Sequence, residues 1–206
     1  MDKIRTLIVD DDVIWLNNIK VYLHTEDDII LEATATDRES AVRTAILIHP
    51  DVIVMDTNLS GNNYDGIYAA AEISREINTK IIMLTSHQEE DVVLNSFTAG
   101  AINILPKDDW RSVVDAINSA KTENSPYEVL LKEYSRLKQE EQLKPLSDSE
   151  REVFRLLENG YSRSRIQNEL YKSENTIKTQ IKSILKKMGV SNVGLAVKKV
   201  HQNGLI

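Results

Sequence analysis

Residues 4–12 read IRTLIVDDD, a short run of mostly branched aliphatic side chains that ends in three aspartates. An apolar run this short, rich in Ile and Val, suits a strand covered on both faces of a parallel sheet. The pattern returns downstream. Further Ile- and Val-rich runs occur at residues 29–33, 52–55, 80–84 and 102–105. Helix-length segments lie near 13–24, 38–48, 65–77, 89–99 and 110–120. In the second of these, Ala41, Val42, Ala45, Ile46 and Ile48 make a one-sided apolar stripe. Five strand–helix units within residues 1–120 predict an α/β fold, a doubly wound (flavodoxin-like) five-stranded parallel sheet. In such sheets a ligand binds beyond the carboxyl ends of the strands.

The residues that follow the strands therefore carry the chemistry. Asp10, Asp11 and Asp12 follow the first, Asp56 the third, Thr85 and Ser86 the fourth, and Lys107 the fifth. Each alone has an ordinary reading. An aspartate after a strand is commonly a helix cap, and Asp12 is read as one. A lone Thr or Lys after a strand commonly faces solvent. Together they bring acids, a hydroxyl and an ammonium to one spot. Crowded carboxylates repel one another until a proton or cation relieves them. A hard divalent ion such as Mg²⁺, bound by oxygen ligands, does this well. A phosphoryl group on Asp56 would sit between the cation, Lys107 and the Thr85 hydroxyl, with Asp56 as the nucleophile.

The chain holds 206 residues, 41% hydrophobic and 28% charged, an ordinary globular composition. It has no cysteine, which excludes disulfides, zinc–thiolate sites and a cysteine nucleophile. No apolar stretch approaches the roughly 20 residues of a membrane span, and the N-terminus lacks a signal-peptide pattern, so no membrane partner and a cytoplasmic location are expected. The net charge of −7 conceals an asymmetry. Residues 1–120 carry 9 Lys and Arg against 21 Asp and Glu, whereas residues 147–206 carry 11 against 6. The acidic part repels nucleic acid and the basic part attracts it.

Residues 121–145 read as a linker holding one helix, opened by Asn124-Ser125-Pro126 and carrying Val129, Leu130, Tyr134 and Leu137 at helical spacing. This stripe reads either as a solvated spacer or as a dimerising or docking face. Beyond it, Ser147 and Glu150 stand as a capping box. Short helices are expected around Val153 to Leu157, around Ile166 to Leu170, from Ser173 to Met188 with Gly189 as its stop, and over 192–202. In the third, Ile177, Ile181, Ile184, Leu185 and Met188 share one arc. Asn175, Thr179, Lys182, Ser183 and Lys186 lie opposite, with Lys178 on the flank. A face of amides, hydroxyls and ammoniums without an acid suits base edges and phosphates in a major groove; it also suits plain solvation.

The stretches LIVDDD (7–12), IVMDTN (53–58), MLTS (83–86) and LPKDD (105–109) resemble the receiver domain of two-component response regulators over residues 1–120. The resemblance implies phosphorylation of Asp56 by a partner histidine kinase. It also implies Mg²⁺ held by Asp10, Asp11, Asp56 and the backbone carbonyl of Asn58, with Thr85 and Lys107 engaging the phosphoryl group. Residues 146–190, LSDSEREVFRLLENGYSRSRIQNELYKSENTIKTQIKSILKKMGV, resemble the LuxR/NarL-type helix-turn-helix domain, taken as residues 146–206. That likeness makes residues 173–188 the recognition helix. Lys178, Thr179 and Lys182 then face bases or phosphates beside Asn175 and Lys186, and Lys187, Arg163 and Arg165 are weaker phosphate candidates. The last helix would make a homodimer contact on DNA.

Several positions depart from the family pattern. Ile104 stands where receivers carry a switch aromatic, and Ser60 where they carry Pro. The loop through Gly61-Asn62-Asn63-Tyr64 is about two residues longer than usual, and His87 occupies a position that tunes phosphoryl lifetime. Gln167 and Gln180 replace a usual Ala and His.

The whole chain thus resembles a NarL/FixJ-type response regulator, a phosphorylation-gated DNA-binding regulator with no substrate turnover. A regulator that is never phosphorylated and uses its receiver for dimerisation is the alternative. A haloacid-dehalogenase-like phosphatase needs a second acid where Asn58 stands. A flavin- or nucleotide-binding module needs a phosphate cradle where three aspartates stand.

Overall fold

The computed structural model describes residues 3–59, 64–86, 89–120 and 126–201. Strands β1 (Ile4–Val9), β2 (Ile29–Ala35), β3 (Val52–Asp56), β4 (Lys80–Thr85) and β5 (Ala101–Pro106) alternate with helices α1 (Val13–Leu23), α2 (Arg38–Ile48), α3 (Asp65–Glu76), α4 (Glu90–Thr98) and α5 (Arg111–Ala120). All four strand pairings are parallel, and the spatial order is β2-β1-β3-β4-β5. The chain winds outward from β1 to β2, then back to β3 and on, so the direction of winding reverses between β1 and β3. The carboxyl ends of those two strands flank the crevice where a ligand sits in this architecture.

The period-2 alternation of strand side chains feeds two cores. Leu7, Val9, Ile53, Met55, Ile81 and Met83 point to one face, packed with Ala41 and Ala45 of α2 and Ile67 and Ile73 of α3. Ile8, Val54, Ile82 and Leu84 point to the other, packed with Leu16 and Ile19 of α1 and Val113 and Ile117 of α5. The expectation of burial on both faces holds for β1, β3 and β4. It fails for β2, where exposed residues alternate with covered ones, and for β5, which is largely half-exposed, because these strands form the two edges of the sheet. Glu32, in the middle of β2, puts a charge on that edge and pairs with Arg5 at 2.8 Å; edge charges of this kind discourage strand addition.

Asp12 caps α1 as expected, its carboxylate accepting from the N–H groups of Ile14 and Trp15. Helix α6 (Pro126–Leu143) leaves Val129, Leu130 and Leu137 exposed. Of its expected opening, only Pro126 lies within the described residues. The chain divides into two compact units within α6, between Ser135 and Arg136.

The second unit holds α7 (Asp148–Glu158), α8 (Arg163–Glu169), α9 (Glu174–Met188) and α10 (Val193–His201). Ser147, Ser162 and Ser173 cap α7, α8 and α9 by accepting from the N3 amides, and Gly189 ends α9 at φ +68°. Val153, Phe154, Ile166, Ile177, Ile181, Ile184, Ala196 and Val200 form its core. Among the described residues no helix is long and apolar enough to cross a membrane.

Candidate phosphoacceptor site and nucleic-acid interface

Asp10 leaves the end of β1 and is fully buried, while Asp11 beside it is exposed. Asp56 is the last residue of β3 rather than the first after it. It pairs in register with Leu84 of β4, which holds its carboxylate at the rim. Thr85 likewise ends β4, opposite Pro106, so Lys107 emerges next to it, and the Lys107 N–H donates to the Thr85 carbonyl at 2.9 Å. Oxygens of Asp10, Asp11 and Asp56 all lie within 4.8 Å of one another. The Lys107 ammonium donates to Asp56 Oδ2 at 2.7 Å and to Asp10 Oδ1 at 2.9 Å. Two backbone amides complete the rim: Asp12 N–H donates to Asp10 Oδ1 and Asn58 N–H to Asp56 Oδ1.

Burial raises the Asp10 carboxyl above its ordinary value, more than Lys107 and the Asp12 amide lower it, and the Asp56 charge adds to the rise. For Lys107, burial favours the neutral amine, but the hydrogen bonds and charges of Asp56 and Asp10 outweigh it and hold the ammonium above its ordinary value. The cation of Lys107 is therefore the fixed partner of two buried acids, and removing it would leave uncompensated charge.

Asp11, Asp56, Asn58, Thr85 and Lys107 line one open cleft of about 340 Å³. Asp10 Oδ2 meets the Lys107 ammonium at 2.9 Å as an ion pair, and Asn58 Oδ1, also buried, accepts no hydrogen bond among the described residues. A hard oxygen set with spare lone pairs fits a divalent cation such as Mg²⁺. The structure thus brings together every acid, hydroxyl and ammonium expected at this site. Ile104 is partly buried and packs against the core. Ser60, the Gly61–Asn63 insertion and His87 lie outside the described residues.

Two features of the site had no signal of their own in the sequence. Gly66 opens α3 so close to β3 that a Cβ there would stand 1.8 Å from the Asp56 carbonyl oxygen; only glycine fits. Trp15, one turn into α1, sets its ring 5.7 Å from the Lys107 ammonium.

In the second unit, Asn175, Lys178, Thr179, Lys182 and Lys186 are all exposed on α9, opposite the buried Ile177, Ile181, Ile184 and Met188. Ser183 and Lys187 do not belong to that free face. Ser183 Oγ and Lys187 Nζ each donate to the Glu150 carboxylate at 2.6 Å, and the Ser147 N–H donates to it at 2.7 Å. Burial opposes ionisation of Glu150, but these hydrogen bonds outweigh it and bring its carboxyl down to about 2. Lys187, read from the sequence as a weaker phosphate candidate, is thus paired with an acid of its own unit. Arg165 stacks its guanidinium 3.7 Å over the Tyr161 ring, and Arg163 is exposed. Gln180 Nε2 donates to Ser149 Oγ, tying α9 to α7.

Residues 6–118 match the family model of the response regulator receiver domain, and residues 144–199 that of bacterial regulatory proteins of the luxR family. The chain is a response regulator of the LuxR family. It is 35% identical over 211 residues to the transcriptional regulatory protein LiaR of Bacillus subtilis, across 98% of this chain and 99% of that one. It is 31% identical over 208 residues to the response regulator protein VraR of Staphylococcus aureus, with coverage of 98% and 99%. Among solved structures, the response regulator RcsB of Salmonella typhimurium superposes with a TM-score of 0.55 at 24% identity, covering the whole of both chains. At that identity the likeness speaks for the fold alone. The response regulator thus joins a receiver domain to a LuxR-type DNA-binding domain, the make-up of a DNA-binding transcription regulator.

Proposed function

We propose that Asp56 is the phosphoacceptor of this response regulator, that a histidine kinase is the donor, and that phosphorylation controls how α9 engages DNA. The single observation that carries the reading is the Lys107 ammonium held 2.7 and 2.9 Å from Asp56 and Asp10 at the mouth of the cleft. An Asp56 carboxylate oxygen would attack the phosphorus of a phosphohistidine. The P–O bond forms as the P–N bond breaks, and the imidazole leaves with a proton. Lys107 neutralises charge on the phosphoryl oxygens, and Thr85 offers a hydroxyl to one of them. Asp10, Asp11, Asp56 and the Asn58 carbonyl would hold Mg²⁺, which supplies further neutralisation of that charge when bound. No turnover of a separate substrate is expected, because the second acid of aspartyl phosphatases is Asn58 here.

In the second unit, Lys178, Thr179 and Lys182 would read bases or nearby phosphates, with Asn175 and Lys186 beside them. The working form on DNA would be a homodimer in the cytoplasm. The receiver spans residues 1–120, the linker 121–145 and the reader 146–206 in this division of labour. The aliphatic Ile104, packed into the core, favours one rival: a receiver that dimerises without phosphorylation.

Incubation with acetyl phosphate and Mg²⁺, read by intact mass, is expected to add one phosphoryl group to the wild type and none to Asp56→Asn. DNA affinity is expected to rise with the modification and to fall with salt at a log–log slope of about −0.9 per phosphate contact. Equal affinity for the modified and unmodified forms refutes the gating. Absence of a phosphoryl adduct points to the phosphorylation-independent rival.

A further inference from the structure

We infer that Trp15 is a positioning residue for Lys107, holding the ammonium on its third side and registering the charge that arrives on Asp56. The inference rests on the reading of Asp56 as phosphoacceptor.

Both partners are fixed to the acidic rim by their backbones. The Trp15 N–H donates to Asp12 Oδ1 at 3.0 Å, and the Asp12 N–H donates to Asp10 Oδ1 at 2.8 Å. Lys107 is pinned from the other side of the site by its N–H bond to the Thr85 carbonyl. Asp10 and Asp56 take two of the ammonium's hydrogen bonds, and the Trp15 ring centre stands 5.7 Å away, within the range where a ring quadrupole attracts a cation. Trp15 is partly buried and packs against the core between the sheet, α1 and α5, which restricts its ring.

A carboxylate or phosphoryl oxygen binds an ammonium along a particular N–H direction. A ring face attracts it with little directional demand. The ammonium must exchange part of its carboxylate bonding for phosphoryl oxygens when Asp56 is modified, and the ring holds it in place while it does so. Trp15 also lines a second cleft of about 460 Å³, with Trp110 and Tyr22, whose rings meet edge to face at 4.5 Å. Charge placed on Asp56 would thus be felt, through Lys107, by an indole that lines the cleft between α1 and Trp110. Ile104 has no ring with which to report the same event, whereas the Trp15 ring stands over the Lys107 ammonium.

The test uses the full chain. The protein has two tryptophans, so Trp110→Phe leaves Trp15 as the only indole. Beryllofluoride with Mg²⁺ serves as the phosphoryl mimic, and ¹⁹F NMR counts the adduct on Asp56. Trp15 emission is expected to change in step with adduct formation. In parallel, the initial rate of phosphorylation by acetyl phosphate is followed by intact mass. Trp15→Leu is expected to slow it about two- to fivefold, with Trp15→Phe recovering most of the loss. An adduct that forms with Trp15 emission unmoved overturns the inference and leaves the phosphoacceptor reading intact. A leucine variant that is phosphorylated at the wild-type rate also overturns it. If neither adduct nor phosphorylation is seen, the Asp56 reading falls and this inference falls with it. Should the leucine variant fail to fold, the emission measurement on the native Trp15 decides alone.

Discussion

Glu150→Gln isolates the contact that fastens α9 to α7. The carboxylate is 6% exposed and takes hydrogen bonds from Ser147 N–H, Ser183 Oγ and Lys187 Nζ. Its pKa falls from an ordinary 4.5 to about 2. At 1.36 kcal/mol per unit the ionised form is favoured in the native state by about 3 kcal/mol. Lys187 is 39% exposed, so solvent screening reduces this to about 2 kcal/mol. The sign follows from a depressed acid: the contribution is fully present above pH 4.5 and is lost as pH falls toward about 2. An amide cannot pair with Lys187 as an ion. Amide hydrogen exchange of α9 at pH 7 is therefore expected to run about 30-fold faster in the variant, the factor that corresponds to about 2 kcal/mol. NMR titration of the Glu150 carboxyl in the wild type is expected to give a value well below 4.5. Equal exchange in variant and wild type, or an ordinary titration of Glu150, refutes the reasoning.

Gly66→Ala puts a methyl group 1.8 Å from the Asp56 carbonyl oxygen and forces α3 or β3 to move; a loss of about 1–3 kcal/mol in thermal melts, with weaker Mg²⁺ binding by calorimetry, is expected. Lys182→Ala is expected to flatten the salt dependence of DNA binding by about 0.9 in log–log slope. Lys187→Ala, whose ammonium serves Glu150, is expected to leave that slope unchanged and to lower the melting temperature instead. Gly189→Ala forces a Cβ into the left-handed region at φ +68° and is expected to cost about 1 kcal/mol in denaturant unfolding.

The fold was legible because patterning and punctuation agreed. Short Ile- and Val-rich runs placed all five strands, four of them followed by Asp, Thr or Lys, and Asp12, Ser147, Ser173 and Gly189 marked helix ends by chemistry that acts within three residues. What was not legible depends on neighbours distant in sequence. The exposure of β2 and β5 follows from strand order, which a single run does not reveal. Lys187 and Ser183 read as surface residues until Glu150, more than 30 positions earlier, is set against them. The acidic site was legible residue by residue because strand ends converge by topology. Gly66 and Trp15 were not, because their importance lies in a backbone approach and a ring contact, neither of which has a sequence spacing.

Asp10, Asp11 and Asp56 set against Lys107 leave a formal deficit of two positive charges in a space under 5 Å across. A monovalent ion there would leave one negative charge unbalanced, and a trivalent ion would overshoot by one. Charge balance at this rim would thus suit a divalent cation, and the ammonium of Lys107 is what sets that number.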